Sequence, residues 1–90
     1  MDIPTLAQGF AGRIVAAQAA LAGTRLNRYA DEITVMLPRT GPEFERFVTY
    51  CEALVGCLRN VGPEAHGAVL AVSTLAQDAR HILALYQAQG

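Results

Sequence analysis

The fold depends on one stretch of the chain, IVAAQAALAGTRL at residues 14–26, because two apolar stripes overlap there. The first stripe comprises Ile3, Leu6, Phe10, Ile14, Ala17 and Leu21. The second comprises Val15, Ala22, Leu26, Tyr29 and Ile33. At 100° per residue, the apolar residues after Leu26 point about 120° away from the first stripe. A helix buries one such face in its own core, so the second stripe needs a different neighbour.

Two interpretations of this stretch are open. In the first, one helix runs over about 4–37; it is about 51 Å long at 1.5 Å per residue, whereas a compact globule of this size is only about 30 Å across. The second stripe is then covered by another copy of the chain around a two-fold axis. In the alternative, Gly23 ends one helix and Thr24 caps the next, which gives a four-helix monomer. Because one internal glycine costs a helix only about 1 kcal/mol, we favour the unbroken helix and a homodimer.

Proline and glycine divide the rest of the chain. The segments LPRTGPE at 37–43 and NVGPE at 60–64 predict loops, each with a proline that begins the next helix. Helix 2 is therefore expected over about 43–60 and helix 3 over about 63–88. The predicted buried residues of helix 2 are Phe44, Phe47, Val48, Cys51, Leu54, Val55 and Leu58, and those of helix 3 are Ala65, Val69, Val72, Ala76, Ala79, Ile82, Leu83 and Tyr86. Together these patterns predict a single all-α domain over 1–90 that contains three helices.

The charge composition argues against several classes of function. The chain contains seven arginines, eight acidic residues and no lysine, so its net charge is −1. Lysine-dependent Schiff-base and P-loop chemistry are thereby excluded, and scattered arginines do not form the basic patch of a nucleic-acid-binding domain. Arg13 and Arg25 enclose only 11 uncharged residues, whereas a membrane span needs about 20. The exclusive use of arginine is typical of a GC-rich coding sequence and indicates a bacterial or phage origin.

The cysteines and histidines have the wrong spacing for a metal site. Cys51 and Cys57 are six residues apart and His66 and His81 are fifteen apart, whereas zinc sites of this composition have closely spaced pairs. On one helix the two cysteines point about 120° apart, so they cannot form a disulfide with each other. Two reduced thiols indicate a cytoplasmic protein. No serine, threonine or cysteine has a base at a recognisable spacing, so we expect no catalytic residue, cofactor, metal or small-molecule substrate.

We therefore expect a non-enzymatic interaction module that binds another protein through an apolar helical face, as small chaperones, anti-activators and inhibitors do. The candidate interface residues are Val15, Ala22, Leu26, Tyr29 and Ile33, together with a weaker patch of Leu70, His81 and Leu85. The alternative is a histidine phosphotransfer domain that uses His66, in the stretch EAHGAVLA. The absence of a lysine after this histidine argues against that alternative.

Overall fold

A computed structural model describes the backbone over residues 3–89 and the side chains over residues 8–88. Four α-helices follow one another: α1 (Ile3–Ala22), α2 (Arg28–Val35), α3 (Gly41–Val61) and α4 (His66–Gln89). A short 3₁₀ turn, Pro63–Ala65, lies between α3 and α4. Within residues 3–89 there is no strand, so the all-α prediction is confirmed. The side chains of Ile3 and Leu6, from the first predicted stripe, lie outside the described residues.

The predicted unbroken helix over 4–37 is wrong, because α1 ends at Ala22 and the chain reverses direction in the turn over residues 23–27. Thr24 holds this turn: its Oγ1 donates to the carbonyl oxygen of Leu21 (2.9 Å) and accepts from the backbone N–H of Leu26 (3.1 Å). The reversal folds α2 back along α1, so that Leu21 and Ile33, from the two stripes, are both 0% exposed within a single chain. The alternative, a break at Gly23–Thr24 that gives four helices, is the arrangement observed.

The loops before α3 and α4 contain the expected helix signals. Thr40 is the N-cap of α3 and accepts from the backbone N–H of Glu43 (3.3 Å), and Pro42 lies in the first turn. Gly62 ends α3 with a φ of 124°, a left-handed conformation that favours glycine. Pro63 then begins the 3₁₀ turn, so that α4 starts three residues later than the predicted helix 3.

The core lies where the four helices meet, and α4 packs mainly against α3 and α1. Every predicted core residue of α3 is buried. For predicted helix 3 the burial is confirmed for Ala65 of the 3₁₀ turn and for Val72, Ala76, Ala79 and Ile82 of α4, whereas Val69, Leu83 and Tyr86 are only half-buried. Leu75 and Ala68 are also buried, although neither was predicted. The buried face of α4 is thus wider than one stripe because it packs against two helices.

Polar contacts at the surface join helices that are distant in sequence. Arg13 of α1 forms an ion pair with Asp78 of α4 (2.9 Å), and Arg80 of α4 pairs with Glu52 of α3. The Gln18 side chain donates to the carbonyl oxygen of Ala30 (3.1 Å) and to the Thr34 hydroxyl, which ties α2 to α1. Exposed ion pairs of this kind contribute at most about 1 kcal/mol each. The apolar core therefore supplies most of the stability.

We predict that Ile33→Ala destabilises the fold by about 2–5 kcal/mol, because it removes a fully buried side chain and leaves a cavity. The matched control is Val35→Ala, two residues away on α2, where the side chain is 85% exposed and the expected change is within about 0.5 kcal/mol. Urea unfolding followed by circular dichroism measures both. Equal losses in the two variants would show that α2 does not pack as described.

Candidate functional site

The five candidate interface residues of the second stripe differ in how far the structure buries them. Ile33 is fully buried and is a core residue of the single chain. Leu26 and Tyr29 are half-buried and pack against the same core. Val15 remains 64% exposed on α1, and Ala22 is exposed at the end of that helix. The predicted stripe therefore does not form one continuous surface, since its C-terminal half is used within the chain.

The weaker patch predicted on α4 is also dispersed. Leu70 is 57% exposed, His81 is exposed and Leu85 is half-buried. Leu70 and His81 are eleven residues apart, which separates them by about 16 Å along the helix. One exposed leucine and one half-buried leucine on a helix are ordinary and do not by themselves mark an interface.

The histidines have no partner that would activate them within the described part of the chain. His66 is exposed at the first residue of α4, and neither its imidazole nor that of His81 is paired with a described carboxylate. No group of three or more His, Cys, Asp or Glu side chains among these residues is arranged to hold a metal ion. Phosphotransfer at His66 stays a prediction that no described contact supports.

An apolar groove opens at the end of the bundle where α1 and α3 begin and α4 ends. We call it the aromatic groove; its volume is about 310 Å³. It is lined by Phe10, Ala11 and Ile14 of α1, by Leu37, Pro38 and Arg39 of the linker over residues 36–40, by Phe44 of α3, and by Ile82 and Tyr86 of α4. Leu37 at its edge is 44% exposed, so part of the apolar lining faces solvent.

The length of α2 explains why the groove exists. This helix has only eight residues, whereas α1 has twenty. α2 is therefore about 12 Å long, whereas α1, against which it packs, is about 30 Å long. Beyond Val35 the chain continues as the linker, which has no regular structure over residues 37–39 and covers α1 less completely than a helix would. The groove lies on this side of α1, where Phe10 itself is buried and its neighbour Ala11 is exposed.

Aromatic side chains form the floor of the groove. The ring centroid of Phe44 lies 5.6 Å from that of Phe10 and 5.6 Å from that of Tyr86. Phe10 also packs edge-on against Phe47, again at 5.6 Å. The Tyr86 hydroxyl reaches the carbonyl oxygen of Arg39 (3.5 Å), so the linker is attached to α4 at the rim. Tilted ring pairs of this kind add stability beyond the area they bury.

The groove has one charged side chain, and that charge is not compensated inside the described chain. The Arg39 guanidinium makes no ion pair with any of the described carboxylates. Glu43, its nearest acidic neighbour in sequence, instead accepts from the backbone N–H of Arg39 (3.3 Å) and from the Thr40 hydroxyl (3.2 Å). The site thus combines an apolar surface with a cationic edge.

Sequence reasoning predicted several groove residues only as core residues. Phe10, Phe44 and Ile82 lie on predicted apolar stripes, and each is at least 94% buried. Leu37 was predicted to lie at the end of the unbroken helix over 4–37, which the structure replaces by α1, α2 and the linker. The one available signal was the concentration of aromatic residues, since two of the three phenylalanines and one of the three tyrosines line the groove.

A second cluster joins α2 to α3 and is structural. The Tyr50 hydroxyl donates to the Glu32 carboxylate (3.0 Å), and the Tyr29 and Tyr50 rings lie 6.4 Å apart. Burial raises the pKa of Tyr50 well above its ordinary value, and the hydrogen bond to Glu32 raises it further. The phenol therefore stays protonated as a donor and has no use as a base near neutral pH.

Comparison with known proteins identifies no relative. The sequence matches no protein-family model, and no significant match was found among curated proteins or among solved structures. Over residues 3–89, no helix combines the length and the apolar character that a membrane span requires. A functional inference must therefore start from the geometry of the chain itself.

The two cysteines yield a prediction because their environments differ. Cys51 is fully buried, and that burial, together with the charge of Glu52, raises the pKa of its thiol to about 12. Cys57 is exposed on the same helix. At pH 8 we expect a thiol reagent such as Ellman's reagent to modify one equivalent rapidly and the second only after unfolding, because the thiolate is the reacting species.

The control is Cys57→Ser, which should leave no rapidly reacting thiol in the folded protein. Rapid modification of two equivalents in the wild type would mean that the reagent reaches Cys51, so that the side of α3 facing the core is accessible to solvent.

Proposed function

We propose that this chain is a non-enzymatic interaction module and that the aromatic groove binds an apolar side chain of a partner protein. The observation that carries the proposal is a groove with an aromatic floor whose rim contains the exposed Leu37 and the half-buried Tyr86, next to Arg39. The groove differs from the remaining exposed apolar residues because it is concave and has an aromatic floor.

The composition of the groove favours a protein side chain over a small substrate. Sites for small molecules combine apolar walls with several converging polar groups that fix the orientation of the ligand, and their volumes start at about 300 Å³. This groove has about 310 Å³, and Arg39 is its one charged lining residue. Such a site holds one or two apolar side chains and offers little orientation to a free substrate. An amphipathic helix presents anchors of that kind to a groove.

Arg39 adds a preference for acidic partners. An aspartate or glutamate next to the apolar anchor can pair with its guanidinium at the rim of the groove. A solvent-exposed pair of this kind contributes at most about 1 kcal/mol, so it tunes selectivity while the apolar contact provides most of the affinity. The expected ligand is a helical segment with a large apolar anchor and an acidic residue within one turn of it.

This proposal keeps the expected class of accessory protein, namely a chaperone, an anti-activator or an inhibitor that acts by non-covalent binding. The cytoplasmic location, the bacterial or phage origin and the homodimer stay predictions from the sequence. The homodimer loses its original reason, because the second stripe, which it was to cover, is partly buried within the chain. This proposal differs from the sequence-based proposal in the binding surface, which is the aromatic groove instead of the second stripe and the patch of Leu70, His81 and Leu85.

The test selects ligands from a phage-displayed library of helical peptides against the immobilised full chain and then measures affinity by fluorescence anisotropy. We expect the selected peptides to share an apolar anchor with an acidic neighbour. Leu37→Glu should weaken their binding at least tenfold, or about 1.4 kcal/mol, because it places a negative charge at the mouth of the groove. Arg39→Gln should weaken binding by roughly two- to fivefold, since it removes only an exposed ion pair.

The matched control is Val35→Glu, which introduces the same charge two residues away at a site that is 85% exposed and outside the groove. The affinity of this variant should equal that of the wild type within about twofold, as expected for an exposed position that does not line the groove. Thermal unfolding checks that both glutamate variants remain folded. The proposal fails if peptides bind equally well to Leu37→Glu, or if Val35→Glu and Leu37→Glu weaken binding to the same extent.

A further inference from the structure

We propose that the cleft between α3 and α4 binds a small organic oxyanion, namely a short-chain carboxylate or a phosphate monoester with a short apolar stem. We call it the α3–α4 cleft; its volume is about 310 Å³. On the α3 side it is lined by Glu52, Val55 and Arg59. None of its lining residues takes part in the aromatic groove, so the inference does not depend on the proposed function.

The helix register places polar side chains around a small apolar floor. On α4 the lining residues are Ser73, Ala76, Gln77 and Arg80, which share one face of the helix because the last three follow Ser73 by three, four and seven residues. Ala76 and Val55 are both buried and form the floor. Because alanine and serine are small, the two helices leave open space above this floor.

Arg59 is the cation of the cleft that is available to a ligand. Arg80 already forms an ion pair with Glu52, whereas the Arg59 guanidinium makes no ion pair with any described carboxylate. Two arginines and one glutamate give the lining residues a net charge of +1. A guanidinium binds the oxygens of a carboxylate or a phosphate through two parallel hydrogen bonds. The charge of the cleft therefore favours an oxyanion.

Two neutral donors on α4 accompany Arg59. The neighbouring Thr74 hydroxyl donates to the carbonyl oxygen of Leu70, one turn earlier in the same helix (2.9 Å). Serine can form the same bond within a helix, but the half-buried Ser73 makes no side-chain hydrogen bond with a described residue, so its hydroxyl can donate into the cleft. The Gln77 amide also has no described partner and offers two N–H donors.

The size and lining of the cleft favour a small molecule. Sites for small molecules have volumes from about 300 Å³ and combine apolar surface with a few converging polar groups that fix the orientation of the ligand. In this cleft Val55 and Ala76 can contact an apolar stem, while Arg59, Ser73 and Gln77 can donate to one oxyanion. The aromatic groove has no comparable set of donors.

The test titrates the ¹⁵N-labelled full chain with butyrate and with propyl phosphate in phosphate-free buffer and follows the backbone amide signals by NMR. We expect saturable shifts centred on Arg59, Ser73 and Gln77, with dissociation constants on the order of 1 mM. The tighter probe identifies the oxyanion as a carboxylate or a phosphate. Inorganic phosphate and propanol each carry half of the ligand and should bind roughly fivefold more weakly, because the stem and the charge both contribute.

Two variants remove the proposed donors. Arg59→Gln should raise the dissociation constant of the tighter probe roughly fivefold, since it removes the charge that pairs with the oxyanion, and Ser73→Ala should raise it roughly threefold. The matched controls are Arg46→Gln, at an exposed position of α3 outside the cleft, and Thr74→Ala, where the hydroxyl is used within α4. Both controls should leave the dissociation constant unchanged within about 1.5-fold.

Glu52→Gln tests the charge of the cleft in the opposite direction. It removes the lining carboxylate and releases Arg80, so it should lower the dissociation constant roughly threefold. Circular dichroism checks that every variant is folded. The proposal is overturned if neither probe gives saturable shifts in the cleft, if inorganic phosphate binds as tightly as both probes, if Arg46→Gln weakens binding as much as Arg59→Gln, or if Glu52→Gln weakens binding.

Discussion

Ile33 can be buried in its own chain only if the helix that precedes it stops and turns back. The two apolar stripes of the N-terminal region point in different directions, and one straight helix cannot direct both at one core. The turn over residues 23–27 solves this by placing α2 antiparallel to α1, where Leu21 and Ile33 are both 0% exposed. The remaining features of the fold, including the position of the linker and the opening of the groove, follow from that reversal.

Most of the architecture was accessible from the sequence because most of it depends on local signals. The buried residues of α3 follow a regular spacing, and Thr40, Pro42 and Gly62 mark its ends by well-understood backbone preferences. Leu75 was missed because α4 contacts two helices, and a single stripe underestimates the width of such a face. The sequence pattern therefore predicted the helix and its buried side but underestimated the width of that side.

The break between α1 and α2 was the part that local signals could not decide. A single glycine costs a helix about 1 kcal/mol, whereas fully burying a side chain such as isoleucine stabilises a fold by about 1.5–3 kcal/mol. The free energy gained by burying Ile33 is larger than the cost of the glycine in a helix. It can be estimated only when the side chains that cover Ile33 are known. The groove was unpredictable for a related reason, since it depends on how early α2 ends and on where the linker crosses Phe10.

The most direct test of this account is the backbone NMR assignment of the wild-type chain in dilute solution, at a concentration where sedimentation shows a monomer. The account predicts helical ¹³Cα shifts that fall away over residues 23–27, with nuclear Overhauser effects between the side chains of Gln18 and Thr34. Uninterrupted helical shifts from Leu21 to Ile33 in the monomer, without the Gln18–Thr34 contact, would contradict it.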